Sequence, residues 1–122
     1  MSPEKFHGQP FLLVLSDLAC SPCNLLIAQL DVLSHRAPET NIFLISKGDH
    51  EENDRKFAKI SKSIVVGIQR NLEVSKVFQL YLTPAAFLIG DHGKIDAAPA
   101  VGVSAVIDLF RAAAIKNLLA NC

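Results

Sequence analysis

The sequence contains no tryptophan and only one methionine and one tyrosine, and its 12 basic residues are balanced by 12 acidic ones. The basic residues form no block, so nucleic-acid binding has no support. No uninterrupted aliphatic or aromatic run exceeds five residues, which is far short of a membrane span. The start, MSPEKFHGQP, lacks the apolar core and cleavage site of a signal peptide. The sequence therefore predicts a domain that contacts neither nucleic acid nor a membrane.

Cysteine is also scarce, since the chain has only Cys20, Cys23 and Cys122. Three cysteines are a poor count for a small fold held together by disulfides. One close pair with a distant third residue suits a working dithiol better than a scaffold. Cys122 is the last residue and is interpreted as incidental.

The chain has 122 residues, half of them apolar, which suits one domain with one hydrophobic core. We predict a single domain over residues 1–122, with its core spanning about 9–119. The same sequence would result if the domain had been cut from a longer protein whose anchor or signal was removed.

The apolar pattern predicts alternating strands and helices. Strands are predicted at 11–15, 41–46, 64–68 and 85–89, and a turn at 90–94 leads into an edge strand at 94–98. Helices are predicted at 21–35, 49–60, 73–80 and 103–119. This order is typical of an α/β fold with parallel strand pairs, to which the final turn adds an antiparallel edge.

The motif Cys20-Ser21-Pro22-Cys23 lies between the first strand and its helix. Cys20 is expected at the helix N-terminus, where unpaired backbone N–H groups favour a thiolate over a thiol. Cys23 then lies one turn into the helix, and Pro22 falls where a missing N–H costs little. The spacing predicts that Cys20 attacks a disulfide and that Cys23 resolves the mixed disulfide.

The cysteine pair has two other possible interpretations, a zinc site and inert core residues. A zinc site would need two further ligands, but there is no second C-x-x-C and the histidines lack the paired spacing of a zinc finger; they are His7, His35, His50 and His92. We therefore predict no metal. Two inert core cysteines remain an alternative at this point.

A second motif, LTPAAFLI, places Thr83-Pro84 just before an apolar strand. Together with CSPC after FLLVLSDLA, the stretch VSKVFQLYLTPAAFLIGDHGKI resembles the thioredoxin fold. More narrowly, it is similar to the thioredoxin-like domains of bacterial TlpA-like and methylamine-utilisation accessory thiol-disulfide oxidoreductases. The resemblance covers about residues 9–119.

The resemblance implies an α/β thioredoxin fold, in which helices flank both faces of a mixed sheet of about four or five strands. It implies a cis Pro84 packed against the disulfide, so that a client segment pairs with the Thr83 backbone. Ser21 and Pro22, inside the motif, are expected at the same substrate surface. The expected activity is exchange with protein thiols and disulfides, without a cofactor and with an unidentified redox partner.

Direction and location follow only from the resemblance. Ser21-Pro22 is closer to the reducing members than to the Pro-His of strong oxidants, which favours reduction of clients. The family is usually extracytoplasmic, in the periplasm or on the outer face of a membrane, and tethered by an N-terminal segment. A cytosolic protein would have the same features.

Three positions depart from the family pattern. Ala19 replaces a common tryptophan, Val14 a buried aspartate, and Leu26 a glutamate found in some relatives. The site therefore lacks an obvious carboxylate base. Asp17, the nearest acid in the sequence, is expected to face water. We expect a pKa of roughly 6 to 7.5 for Cys20, set mainly by the helix end.

Two rival functions stay open. A peroxiredoxin-like peroxidase would use Cys20 against peroxide, but of its Pro-x-x-x-Thr-x-x-Cys motif only the cysteine is kept, since Leu13 and Asp17 occupy the other two places. A thioredoxin-like binding module would hold clients or a membrane partner and use the disulfide only as a structural link. Solvent access to Cys20 discriminates between this module and an exchange enzyme.

Overall fold

A computed structural model of the chain describes residues 9–90, 93–95 and 98–120. In these ranges the strands are β1 (Phe11–Asp17), β2 (Asn41–Lys47), β3 (Ile64–Gln69), β4 (Ala85–Ile89) and β5 (Ala100–Val101). The helices are α1 (Ser21–Arg36), α2 (His50–Lys56), α3 (Glu73–Phe78) and α4 (Val103–Ala120). The strands form one sheet in the order β3-β2-β1-β4-β5.

β1 is the central strand of this sheet. It pairs in parallel with β2 over its whole length, from Phe11 opposite Asn41 to Asp17 opposite Lys47, and antiparallel with β4. β2 continues in parallel to β3, and β4 pairs antiparallel with β5. The predicted mixed sheet is confirmed, with five strands.

Both faces of the sheet are apolar, which explains the continuous apolar runs in β1 and β2. One face packs against α1 and α4 through a large core cluster that includes Val14, Leu26 and Phe110. The other face carries a smaller cluster with Leu13 and Phe43, against which Val74 and Phe78 of α3 pack. Helices therefore flank the sheet on both faces, as predicted.

Two helices are shorter than predicted. α2 begins after its N-cap Asp49, whose side chain accepts a hydrogen bond from the Glu52 N–H, and ends at Lys56. The chain turns there, and the next residue, Phe57, is buried in the core. α3 ends at Phe78, where Gln79 takes a left-handed conformation (φ 54°). The predicted start of α3 is the observed one, and the charge pattern predicted the start of α2 to within one residue, whereas the end of α2 coincides with the burial of Phe57.

The edge strand predicted at 94–98 is wrong in its position. Of those residues the structure describes 94, 95 and 98, and there Ile95 makes only an isolated bridge to Ile89. The turn itself is present, because the Gly90 N–H donates to the Lys94 carbonyl (2.7 Å). The edge strand is β5, where Ala100 and Val101 pair with Ala86 and Ala85.

The parallel strands β1, β2 and β3 end at the same edge of the sheet, which places the β1–α1 loop there. The start of β4 lies at this edge too, because β4 runs antiparallel to β1 and Ala85 is opposite Leu15. The two sequence motifs are thereby brought together. Among the described helices, none combines the length and apolar character needed to cross a membrane.

Candidate active site

Cys20 is the N-cap residue of α1. Its backbone is extended (φ −101°, ψ 111°), and its sulfur accepts a hydrogen bond from the Cys23 N–H at 3.2 Å. Pro22 lies in the first turn, as predicted, where it removes no intrahelical hydrogen bond. The first turn contains no acidic residue. The positive end of the helix dipole thus acts on Cys20 with no opposing carboxylate from α1 itself.

The two cysteines form a disulfide, with their Cα atoms 5.2 Å apart. Their surroundings differ: Cys23 is fully buried (0% exposed), whereas Cys20 is partly exposed. Ala19, Ser21 and Pro22 are exposed around it. Cys20 is therefore the sulfur that a large molecule can approach.

The segment before β4 lies against this sulfur. The Thr83–Pro84 peptide bond is cis, and the Thr83 carbonyl oxygen is 3.7 Å from Cys20 Sγ. Pro84 is buried, and its carbonyl accepts a hydrogen bond from the Gly102 N–H (2.9 Å), which ties it to the β5–α4 junction. Thr83 is only partly buried. The structure thus brings Cys20, Cys23, Thr83 and Pro84 together.

Val14 and Leu26 occupy the two positions at which the resemblance would place a carboxylate. Both are fully buried in the larger core cluster. Neither supplies a proton acceptor for Cys23.

The expectation for Asp17 needs correction, because this side chain does not simply face water. It is 27% exposed, and its Oδ2 lies 3.8 Å from Lys47 Nζ. Its Oδ1 also accepts a hydrogen bond from the Ala19 N–H at 2.9 Å. Nothing in the sequence pointed to Lys47, because it lies 27 residues beyond Cys20 and only the β1–β2 register brings it opposite Asp17.

Nothing in the described part of the chain forms a metal site, since no group of three His, Cys, Asp or Glu side chains converges there. His35 and His50 lie on helix surfaces beside Asp31 and Asp54, each four residues away along its own helix. His7, His92 and Cys122 lie outside the described residues.

The pKa of one lysine close to α1 is shifted. Burial lowers the pKa of Lys56, whose Nζ donates a hydrogen bond to Asn24 Oδ1.

The chain is similar in structure to three solved proteins of thiol-redox type. A thioredoxin-like protein in its oxidised form has a TM-score of 0.79 at 12% identity, with 95% of this chain and 85% of that one covered. A secreted Mycobacterium tuberculosis disulfide oxidoreductase, homologous to Escherichia coli DsbE, has 0.73 at 15%, covering 94% and 87%. An exposed lipoprotein thioredoxin of Streptococcus pneumoniae has 0.68 at 13%, covering 88% and 87%.

No protein-family model and no curated protein matches the chain. At identities this low, the structural likeness establishes the architecture and leaves the chemistry to the site residues. The likeness to these three proteins extends over 88% to 95% of this chain, and its five-stranded mixed sheet has helices on both faces. The chain therefore has the thioredoxin fold.

Proposed function

We propose that this domain exchanges disulfides with protein clients through Cys20 and Cys23. The observation that carries the proposal is the asymmetry of the two sulfurs. Cys20 caps a helix N-terminus and is partly exposed, whereas Cys23 is buried one turn deeper. A helix N-terminus stabilises a thiolate, so the accessible sulfur is also the one whose ionised form the helix favours.

In the reducing direction the reaction starts from the Cys20 thiolate. It attacks one sulfur of a client disulfide, forms a mixed disulfide and releases the other client sulfur, which takes up a proton. Cys23 then loses its proton and attacks Cys20 Sγ, which breaks the mixed disulfide and releases the second client thiol. The client gains two electrons, and the domain ends with the Cys20–Cys23 disulfide seen in the structure. The chemistry needs no cofactor.

Thr83, Pro84, Ser21 and Pro22 are proposed to hold the client. The Thr83 carbonyl lies 3.7 Å from Cys20 Sγ. Among the described residues, no backbone–backbone hydrogen bond involves the carbonyl or the N–H of Thr83. An extended client segment can pair with these groups as a short added strand. Ser21 and Pro22 directly follow Cys20 and are exposed, so a client at this sulfur would contact both motifs.

Direction, location and partner are part of the same proposal. Ser21-Pro22 between the cysteines favours reduction of clients. The similar proteins include a secreted oxidoreductase and an exposed lipoprotein, which supports an extracytoplasmic site of action. An unidentified thiol-redox partner would then restore the dithiol. The proposed unit is one domain over 1–122, with its core at about 9–119.

The test is redox equilibration. The protein is incubated in glutathione buffers of graded poise, quenched with an alkylating reagent, and its free thiols are counted by mass. We expect a cooperative two-thiol transition for Cys20 and Cys23, together with insulin reduction that is abolished in Cys20→Ser. Cys122→Ser is the matched control, and it should keep both properties.

Three results would count against the proposal. If no intramolecular disulfide forms at any poise, the exchange mechanism is excluded. A disulfide that resists reduction at every poise would instead favour a structural link in a binding module. Peroxide consumption without insulin reduction would favour the peroxidase.

A further inference from the structure

A charged pair joins the ends of β1 and β2, at the edge of the sheet where the β1–α1 loop leads to Cys20. Asp17 and Lys47 are register partners on these parallel strands, and Lys47 Nζ lies 3.8 Å from Asp17 Oδ2. The Lys47 side chain is 40% exposed and that of Asp17 27%. Their charges are thus less screened than on an open surface, yet neither has lost its water entirely.

Asp17 is fixed in the turn that presents Cys20. Its side chain accepts the Ala19 N–H (2.9 Å), and its own carbonyl accepts the Cys20 N–H (3.0 Å). On the opposite strand, the Lys47 carbonyl accepts the Leu18 N–H (3.0 Å). The carboxylate cannot swing away from Cys20 without breaking the hydrogen bond that shapes the turn.

This arrangement creates an electrostatic problem for the nucleophile. The Asp17 carboxylate is hydrogen-bonded to the N–H of Ala19, the residue next to Cys20, so its charge opposes the thiolate that the helix N-terminus favours. An ammonium group paired with that carboxylate cancels much of its field. We infer that Asp17 and Lys47 are a positioning pair, in which Asp17 fixes the turn that presents Cys20 and Lys47 neutralises the carboxylate so that Cys20 can ionise. This inference rests on the proposed exchange function.

The elements around Cys20 carry few other described titratable groups. The first turns of α1 and α4 contain no acidic residue. On α2, Lys56 is held by Asn24, which lies four residues after Cys20. Tyr81, in the loop before Pro84, is exposed. Farther along the same sheet edge, Arg70 follows β3 and lies 3.7 Å from Asp49. In the sheet, β2 lies between β3 and β1, the strand that leads to Cys20. A single charge change at Asp17 or Lys47 should therefore act on Cys20 more strongly than one at Arg70.

The experiment measures the pH midpoint of Cys20 alkylation in the full chain. Cys23→Ser and Cys122→Ser are present throughout, so that Cys20 is the only thiol. Lys47→Met should raise the midpoint by about half to one pH unit, and Asp17→Asn should lower it by a similar amount. Asparagine keeps an oxygen for the Ala19 N–H, so the turn is retained. The double variant should return close to the parent.

Two controls separate charge from structure. Lys47→Arg keeps the charge and should restore the parent midpoint, whereas Arg70→Met removes a cation from the neighbouring pair and should shift it by less than about 0.2 unit. Circular dichroism melts check that each variant is folded, and Lys47→Gln replaces Lys47→Met if that variant is not.

The inference is overturned if the single variants leave the midpoint unchanged, or if both shift it in the same direction. Its failure is distinguishable from failure of the proposed function, because alkylation needs neither a client nor a disulfide. If the midpoints move as expected but the protein never reduces insulin, the role of the Asp17–Lys47 pair stands and the exchange function is rejected. If the protein reduces insulin but the midpoints do not move, the exchange function stands and the role of the pair is rejected.

Discussion

The assignment of roles to the two cysteines predicts a large difference in their reactivity. The comparison uses two variants that each keep one thiol of the motif: Cys23→Ser leaves Cys20, and Cys20→Ser leaves Cys23. Cys122→Ser is present in both. Cys20 is partly exposed, so a small alkylating reagent reaches it directly, whereas Cys23 is 0% exposed. Cys23 can react only after the first turn of α1 opens.

The cost of that opening follows from the contacts that are lost. Breaking the hydrogen bond between the Cys23 N–H and the residue-20 side chain costs about 1 kcal/mol, the usual value of an N-cap. Exposing the buried Cys23 side chain costs about 1 kcal/mol more, as for a small apolar group. A total of about 2 kcal/mol populates the open form at roughly one part in 30, so Cys23 should react about 30-fold more slowly than Cys20.

The assay follows iodoacetamide modification by intact mass at one pH, with the rate normalised to the thiolate fraction of each variant. Denatured samples provide the control, since both thiols should then react at similar rates. Native rates within about threefold of each other would refute the division into an accessible attacking sulfur and a sheltered resolving sulfur. A faster Cys23 would reverse the roles.

Three further predictions concern the framework around the site. Phe110→Ala should lower the free energy of unfolding in urea by about 3–5 kcal/mol, since the ring is 2% exposed in the larger core cluster; a loss below about 1 kcal/mol would contradict that packing. Gly48→Ala should lower the melting temperature more than Gly102→Ala. Both residues have positive φ (+148° and +95°), but only at Gly48 would a Cβ meet a neighbour, at 2.5 Å from Leu18 Cδ1; equal shifts would argue against this contact. Hydrogen bonds from the backbone N–H groups of Glu73 itself and of Asn71 lower the Glu73 pKa below its ordinary 4.5. The folded-state pKa is depressed, so the contribution to stability is present above the unfolded-state pKa and is lost as pH falls through the folded value. Glu73→Gln should therefore be more destabilising at about pH 7 than at about pH 3 in urea titrations, and a penalty independent of pH would contradict this origin.

The local patterns predicted most of the secondary structure. β4 was predicted at its observed bounds, and the starts of α1 and α3 were also predicted correctly. The continuous apolar runs reflected burial on both faces of the sheet. Local patterns failed where tertiary contacts set the structure. α2 ends at Lys56, earlier than its charge pattern indicated, and the next residue, Phe57, is buried in the core. The edge strand at Ala100–Val101 is two residues long and carries no periodicity of its own, so no local signal could place it.

Of the candidate site, too, only the part with a local sequence signal was predicted from the residues themselves. Cys20 and Cys23 were identified from spacing and from their place between a strand and a helix, which are local properties. Thr83-Pro84 was associated with them only through resemblance, because the two motifs are 63 residues apart at the nearest contact. Lys47 was not predicted, because no residue near it in the sequence indicates a thiol site.

By itself, the sequence determined an α/β chain with a C-x-x-C motif at a helix start, because helix initiation and apolar periodicity depend on residues within a few turns of one another. Only the tertiary structure decided which charge lies beside Asp17, which carbonyl lies beside Cys20 Sγ, and that Cys23 is sealed from solvent. Those properties depend on the parallel register of β1 and β2 and on the antiparallel placement of β4, and each register joins residues that are remote along the chain.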